Sequence, residues 1–246
     1  MRPTTPDFPP RSRAFTLIEL LTVIAIIGIL AAIIFPTVSA VITKAHKAAV
    51  KAQVSQWTVG MQAFRADYSF YPQIDGSYAG SGGNASGTAN VVNPLKFAIA
   101  LTGTELNGTA LPTTATAADL VGNSKRRNYY SIAQNEVVMD NGLPIGLQDA
   151  FGNEVTTGGK ETGFAVLYDS NGDGFVSTAD TVAGGSPQSA PTLTCTKTGS
   201  TYTPDPINDV NLSPPGIRAG VLFYTPGPGN SDGSATDGSS AVFSWK

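Results

Sequence analysis

The chain has 246 residues, a formal charge of −3 and a single cysteine, Cys195. The length holds one moderate domain plus a membrane span. The mild acidity leaves no polybasic surface for nucleic acid, and one cysteine excludes an internal disulfide.

Charged residues are scarce while Gly, Ser, Thr, Asn and Pro are plentiful, the composition of a loop-rich β domain outside the cytosol. The N-terminus reads Arg11-Ser12-Arg13-Ala14-Phe15-Thr16-Leu17-Ile18-Glu19-Leu20, two arginines set directly against an apolar run. From Leu17 to Phe35 the only exceptions to that run are Glu19, Thr22 and Gly28. A secretory h-region is shorter, about 7–15 residues, whereas roughly 20 apolar residues span a bilayer. A carboxylate inside such a span is costly and calls for a specific partner. For Glu19 the candidate is a free amine, made by cutting between Ala14 and Phe15. Arg11 and Arg13 precede the span and Lys44, Lys47 and Lys51 follow it, so charge alone does not orient it.

Ala14-Phe15-Thr16-Leu17-Ile18-Glu19 resembles the class III signal of type IV pilins and type II secretion pseudopilins. The resemblance implies a prepilin peptidase that cuts before Phe15 and methylates the new amine, with Ala14 and Phe15 as the processing residues. It implies an assembly role for Glu19, neutralising the N-terminus of a neighbouring subunit. Pro36 falls where that family bends its helix. The family normally has Gly before the cut; Ala14 is the smallest replacement and implies slower cleavage. The implied layout is a leader at 1–14, a transmembrane helix over 15–37 with a cytoplasmic N-terminus in the inner membrane, and a periplasmic remainder. Removing the leader, which carries Arg2, Asp7, Arg11 and Arg13, would leave a mature chain of charge about −5.

The helical pattern continues beyond the span, over 38–71. Trp57, Met61, Phe64 and Tyr68 follow the i, i+4, i+7 rule for one buried face, expected to pack on a sheet. Tyr71-Pro72 is expected to stop the helix, because the residue before a proline is pushed out of the α region. The remainder, 72–246, reads as a globular β-rich domain. Asp75 to Asn90 reads as a surface loop and Asn93 to Thr102 as a short helix. Tyr129–Val138, Phe164–Tyr168, Ala219–Tyr224 and Ala241–Trp245 read as strands, the last two forming a hairpin. The expected fold class is α+β, and the resemblance implies a pilin-like fold, with a long N-terminal helix packed on a small antiparallel sheet with long loops. Asp149-Ala150-Phe151-Gly152-Asn153 resembles the Asp-Pro-Trp-Gly-Asn turn of major pseudopilins, and the segment 181–215 has no counterpart there.

Asp169-Ser170-Asn171-Gly172-Asp173-Gly174-Phe175-Val176-Ser177-Thr178-Ala179-Asp180 fits the twelve-residue calcium-loop pattern, with Asp180 in place of the final Glu. Oxygens at the first, third and fifth positions converge as the loop wraps, Gly174 permits the sharp turn, the carbonyl of Phe175 adds an oxygen and a late carboxylate closes the far side. The expected ligands of Ca²⁺ are Asp169, Asn171, Asp173, Phe175, Ser177 and Asp180, over 169–180. Asp is shorter than Glu, so weak to moderate affinity is expected, near about 10⁻⁴–10⁻³ M as in extracellular modules. The competing reading is an Asp/Asn/Gly turn with no ion. An ion here would staple a chain that has no disulfide.

No catalytic residue stands out. His46 is the only histidine and follows the span directly, Cys195 has no His signature, and no phosphate-cradling glycine motif appears. A non-enzymatic role is expected: a pseudopilus subunit of a type II secretion system, polymerising with itself and other pseudopilins, in company with prepilin peptidase and an inner-membrane platform protein. The alternatives are a type IV pilus subunit and a membrane-anchored calcium-binding module that never polymerises.

Overall fold

The structure is a computed structural model that describes residues 15–76, 89–157, 163–181, 187–196, 198–199, 201–202, 216–229 and 241–244. The leader, including Ala14, lies outside the described residues, as does Trp245. The chain forms two compact units, 1–44 and 45–246. One helix, α1 (Leu17–Tyr68), begins in the first and ends in the second, and it is continuous through residue 36.

In the first unit the helix is apolar on every side. It contains a window of mean hydropathy 2.9, none of it buried, and is long and apolar enough to cross a membrane. In the second unit the pattern narrows to one face: Val50, Val54, Trp57, Met61 and Phe64 are fully buried at the spacing of a single helical stripe. The helix ends at Tyr68, three residues before the expected stop. Ser69 takes a left-handed φ of 66° and donates its N–H to the Arg65 carbonyl at 2.7 Å, so the chain has already turned when it reaches Tyr71-Pro72.

Helix α2 (Pro94–Thr102) is where the sequence places it. Asn93 is its N-cap, accepting from the N–H groups of Leu95 and Lys96 (3.1 and 3.2 Å), and Pro94 occupies the first helical position, where no donor is needed. Gly103 closes it at φ 76°; a Cβ there would sit 2.7 Å from the Arg126 carbonyl.

Two three-stranded antiparallel sheets follow. The first has the order β1 (Val137–Asp140), β2 (Leu143–Gln148), β3 (Glu154–Thr156), with a register shift between Val138 and Met139. The expected strand over Tyr129–Val138 is thus corrected. Residues 134–136 form a 3-10 turn and extended pairing starts only at Val137. Glu136 explains the break: its carboxylate accepts from the Ala133 N–H at 3.3 Å and from the Tyr130 hydroxyl at 2.7 Å, winding the segment into a turn.

The second sheet has the order β4 (Ala165–Tyr168), β7 (Val221–Thr225), β8 (Val242–Phe243), and it contains the expected hairpin. A two-stranded ribbon, β5 (Leu193–Thr194) with β6 (Thr201–Tyr202), lies between β4 and β7 in sequence. All of β4 and β7 is buried, because the sheet is covered on both faces. Phe164, Val166, Tyr168, Val221 and Phe223 pack in the cluster of the α1 stripe. Ala165, Leu167, Leu222 and Tyr224 face Val176, Leu193 and Phe243. That double burial is why these strands read as unbroken apolar runs rather than as alternation. Trp57 is the hub, with ring centroids 4.6 Å from Phe97, 4.9 Å from Phe164 and 5.6 Å from Phe223.

Candidate functional site

Thr16 and Glu19 form a reciprocal cap at the start of α1. The Glu19 carboxylate accepts from the Thr16 N–H (2.7 Å) and hydroxyl (2.6 Å), while Thr16 Oγ1 accepts from the Glu19 N–H (3.3 Å). This is a capping box, which satisfies donors that every helix start leaves open. It gives the carboxylate a partner within its own chain, although Glu19 and Phe15 both remain exposed. Sequence reasoning sought that partner elsewhere; the Thr-x-x-Glu spacing was the signal for the local one.

The acidic loop follows β4, as expected. Asp169 is buried, and its carboxylate accepts from the N–H groups of Gly172 (2.7 Å) and Gly174 (3.1 Å). Asn171 Oδ1 accepts from the Asp173 N–H, and Asp173 Oδ1 from the Phe175 N–H, both at 2.8 Å. These consecutive turns curl the first half of the loop around its own side-chain oxygens. Asp180 has a different task. It is fully buried and accepts from the N–H groups of Ser170 (2.7 Å), Asn171 (3.2 Å) and Ser177 (2.7 Å), clamping the two ends of the loop together. Among the described residues no three acidic, histidine or cysteine side chains converge on one point. Carboxylates, an amide, a hydroxyl and a carbonyl are nevertheless the oxygen donors a hard cation takes. Asp169, Asn171 and Asp173 carry such donors, and like Asp180 each of them already accepts from backbone N–H groups.

A buried polar network ties this loop to the sheet. The Gln188 side chain accepts from Tyr168 N–H at 2.7 Å and donates to Tyr168 carbonyl at 3.1 Å, pairing with the edge of β4 as another strand would. Its own N–H donates to the Asp180 carbonyl at 2.7 Å. Asn90 donates to Gln188 Oε1 and to the Val166 carbonyl, and the Asn90 N–H donates to Asp75 at 2.8 Å. Tyr168 Oη accepts from the Ile74 N–H and meets Asp75 at 3.2 Å. Gln188 and the buried Leu193 and Cys195 thus give part of the 181–215 segment a structural role.

The Asp149–Asn153 segment is a second buried tie. Asp149 accepts from the N–H groups of Phe151 and Asn153, from the Asn153 amide and from the Thr225 hydroxyl, all at 2.7–2.9 Å. Asn153 also donates to the Gly227 carbonyl at 2.7 Å. This turn joins the two sheets. Burial pushes the Asp149 carboxyl above its ordinary pKa, against the lowering effect of those donors.

With this geometry in view, the comparison with known families is specific to the start of the chain: the prokaryotic N-terminal methylation motif matches residues 9–35. Neither a curated protein nor a solved structure matches the chain. The matched segment is the prepilin-type signal of type IV pilins and pseudopilins. Together with the long helix leading into small antiparallel sheets, that signal supports a type IV pilin-like or pseudopilin subunit. Such a signal implies processing by prepilin peptidase and assembly into a filament.

Proposed function

We propose that the chain is the pseudopilus type of subunit, part of a type II secretion system whose filament pushes folded substrates across the outer membrane. The observation that carries the reading is the carboxylate of Glu19 inside the apolar N-terminal stretch of α1, within the matched methylation motif. After cleavage the Phe15 amine of a neighbouring protomer is its countercharge, and packing of helices 15–37 forms the filament core. The domain stands in the periplasm, and the platform protein of the inner membrane receives the subunit before assembly. The role is structural rather than enzymatic. A single cysteine and an acidic loop favour the secretion device over an adhesive pilus, because the chain needs a staple that is not a disulfide.

Calcium is that staple in this reading. Asp169, Asn171, Asp173 and the Phe175 carbonyl would hold it, with Ser177 and Asp180 closing the loop; bound there, the ion neutralises the acidic side chains and pins the segment after β4. Deleting the gene tests the reading. Loss of secreted proteins with surface fibres intact supports it, whereas loss of surface fibres with normal secretion assigns the chain to a pilus.

A further inference from the structure

A cavity of about 670 Å³ opens between the end of α1, the first turn of α2, the 117–122 loop and the start of the acidic loop. Its size is that of a small-ligand site. Two cations reach it, Arg65 and Lys96, in a chain whose net charge is negative. Among the described residues neither is hydrogen-bonded to a carboxylate, and the ion pair of Arg65 with Asp169 is long. Arg65 donates to the Tyr71 hydroxyl at 3.2 Å and approaches Asp169 only to 4.0 Å. Lys96 donates to the backbone carbonyl of Asp75 at 2.5 Å. Burial holds its ammonium below the ordinary lysine pKa, partly offset by the Asp75 charge. Among the described lining residues the one carboxylate, that of Asp169, has no exposed side-chain surface and is turned to the amides of Gly172 and Gly174.

Two aromatic rings, Phe70 and Tyr71, stand among the small and polar residues of the other walls. Phe70 packs edge-on to Phe64 at 5.6 Å, and a Cβ on Gly122 would sit 2.9 Å from its ring. The Arg65 guanidinium lies 4.8 Å from the Tyr71 ring centroid, and a Cβ on Gly220 would collide with the Tyr71 hydroxyl. The left-handed turn at Ser69 is what places Phe70 and Tyr71 beside Arg65.

We propose that this cavity binds a small carboxylate with a flat apolar body, its charge between Arg65 and Lys96 and its body against Phe70 and Tyr71. A guanidinium fork and an ammonium are suited to a carboxylate, and the rings supply the apolar contact that a bare inorganic anion would forgo.

The test uses the full mature chain in detergent micelles, titrated by calorimetry with benzoate, benzamide and inorganic phosphate. Saturable benzoate binding, at least tenfold tighter than that of benzamide or phosphate and weakened about tenfold by Lys96→Gln at an unchanged melting temperature, is the expected result. Arg65→Gln, at a half-exposed position, carries the same expectation should Lys96→Gln not fold. Absence of saturable benzoate binding, equal binding of benzamide or phosphate, or full binding in a folded variant would overturn the proposal.

Discussion

The two halves of α1 show the same secondary structure reached in two ways. Leu17, Ile27 and Ile29 leave 80%, 58% and 65% of their surface exposed, whereas Val50, Val54, Trp57, Met61 and Phe64 expose none. The C-terminal half is amphipathic and its burial comes from sheets in its own unit. The N-terminal half is exposed and apolar all round, long and apolar enough to cross a membrane. One half is set by internal packing; in the proposed assembly the other is set by partners. Substitutions should separate accordingly.

The largest effect is expected at Glu19. Glu19→Ala should abolish incorporation into filaments while leaving the melting temperature of the domain unchanged, read by cross-linking and by thermal unfolding. Normal incorporation would make the helix a plain anchor. In the other half, Trp57→Ala should cost about 3–5 kcal/mol, the usual loss for a large core aromatic, read by denaturant unfolding, and should affect assembly only through stability. A loss below about 1 kcal/mol would mean that the α1 stripe is not the core.

Asp149→Ala should cost about 2–3 kcal/mol, because it strands the Asn153 amide and Thr225 hydroxyl in a buried site. In the acidic loop, millimolar calcium should raise the melting temperature and EDTA reverse it, with Asp169→Ala and Asp173→Ala abolishing the response. No response from the wild-type chain would leave a self-satisfied turn. The smallest effect concerns Asp67, at the end of α1, which accepts from Tyr129 (2.7 Å) and Arg127 (2.8 Å). The Tyr129 hydrogen bond, with a smaller contribution from the charge of Arg127, holds its pKa below the ordinary aspartate value. A depressed carboxylate stabilises the fold above the unfolded pKa of about 4 and loses that contribution as pH falls through its folded value. Asp67→Asn should therefore lower the melting temperature slightly at pH 7 and show a shallower loss on acidification below pH ~4. Parallel pH profiles would remove Asp67 from the account.

What the sequence made legible follows the same division. The apolar span, the stripe from Trp57 to Phe64 and the runs that became β4 and β7 carry strong periodic or continuous signals, since their burial is one-sided or complete; the extension of the stripe to Val50 and Val54 was not read from the sequence. Strands β2 and β3 carried none: Pro144 and Gly146 interrupt the first, and three residues are too few for a period in the second. The acidic loop was readable because its spacing is local. The clamp by Asp180 and the strand-like pairing of Gln188 with Tyr168 depend on contacts 10 and 20 residues apart that no pattern announces. The capping box at Thr16 was written in the sequence but lay beneath the more conspicuous peptidase signal.

Intact-mass and N-terminal peptide analysis of the protein recovered from its native membrane tests the central claim most directly. The account predicts a chain that begins at Phe15 with a methylated amine. A chain still carrying residues 1–14, or beginning at an unmodified residue elsewhere, would contradict it.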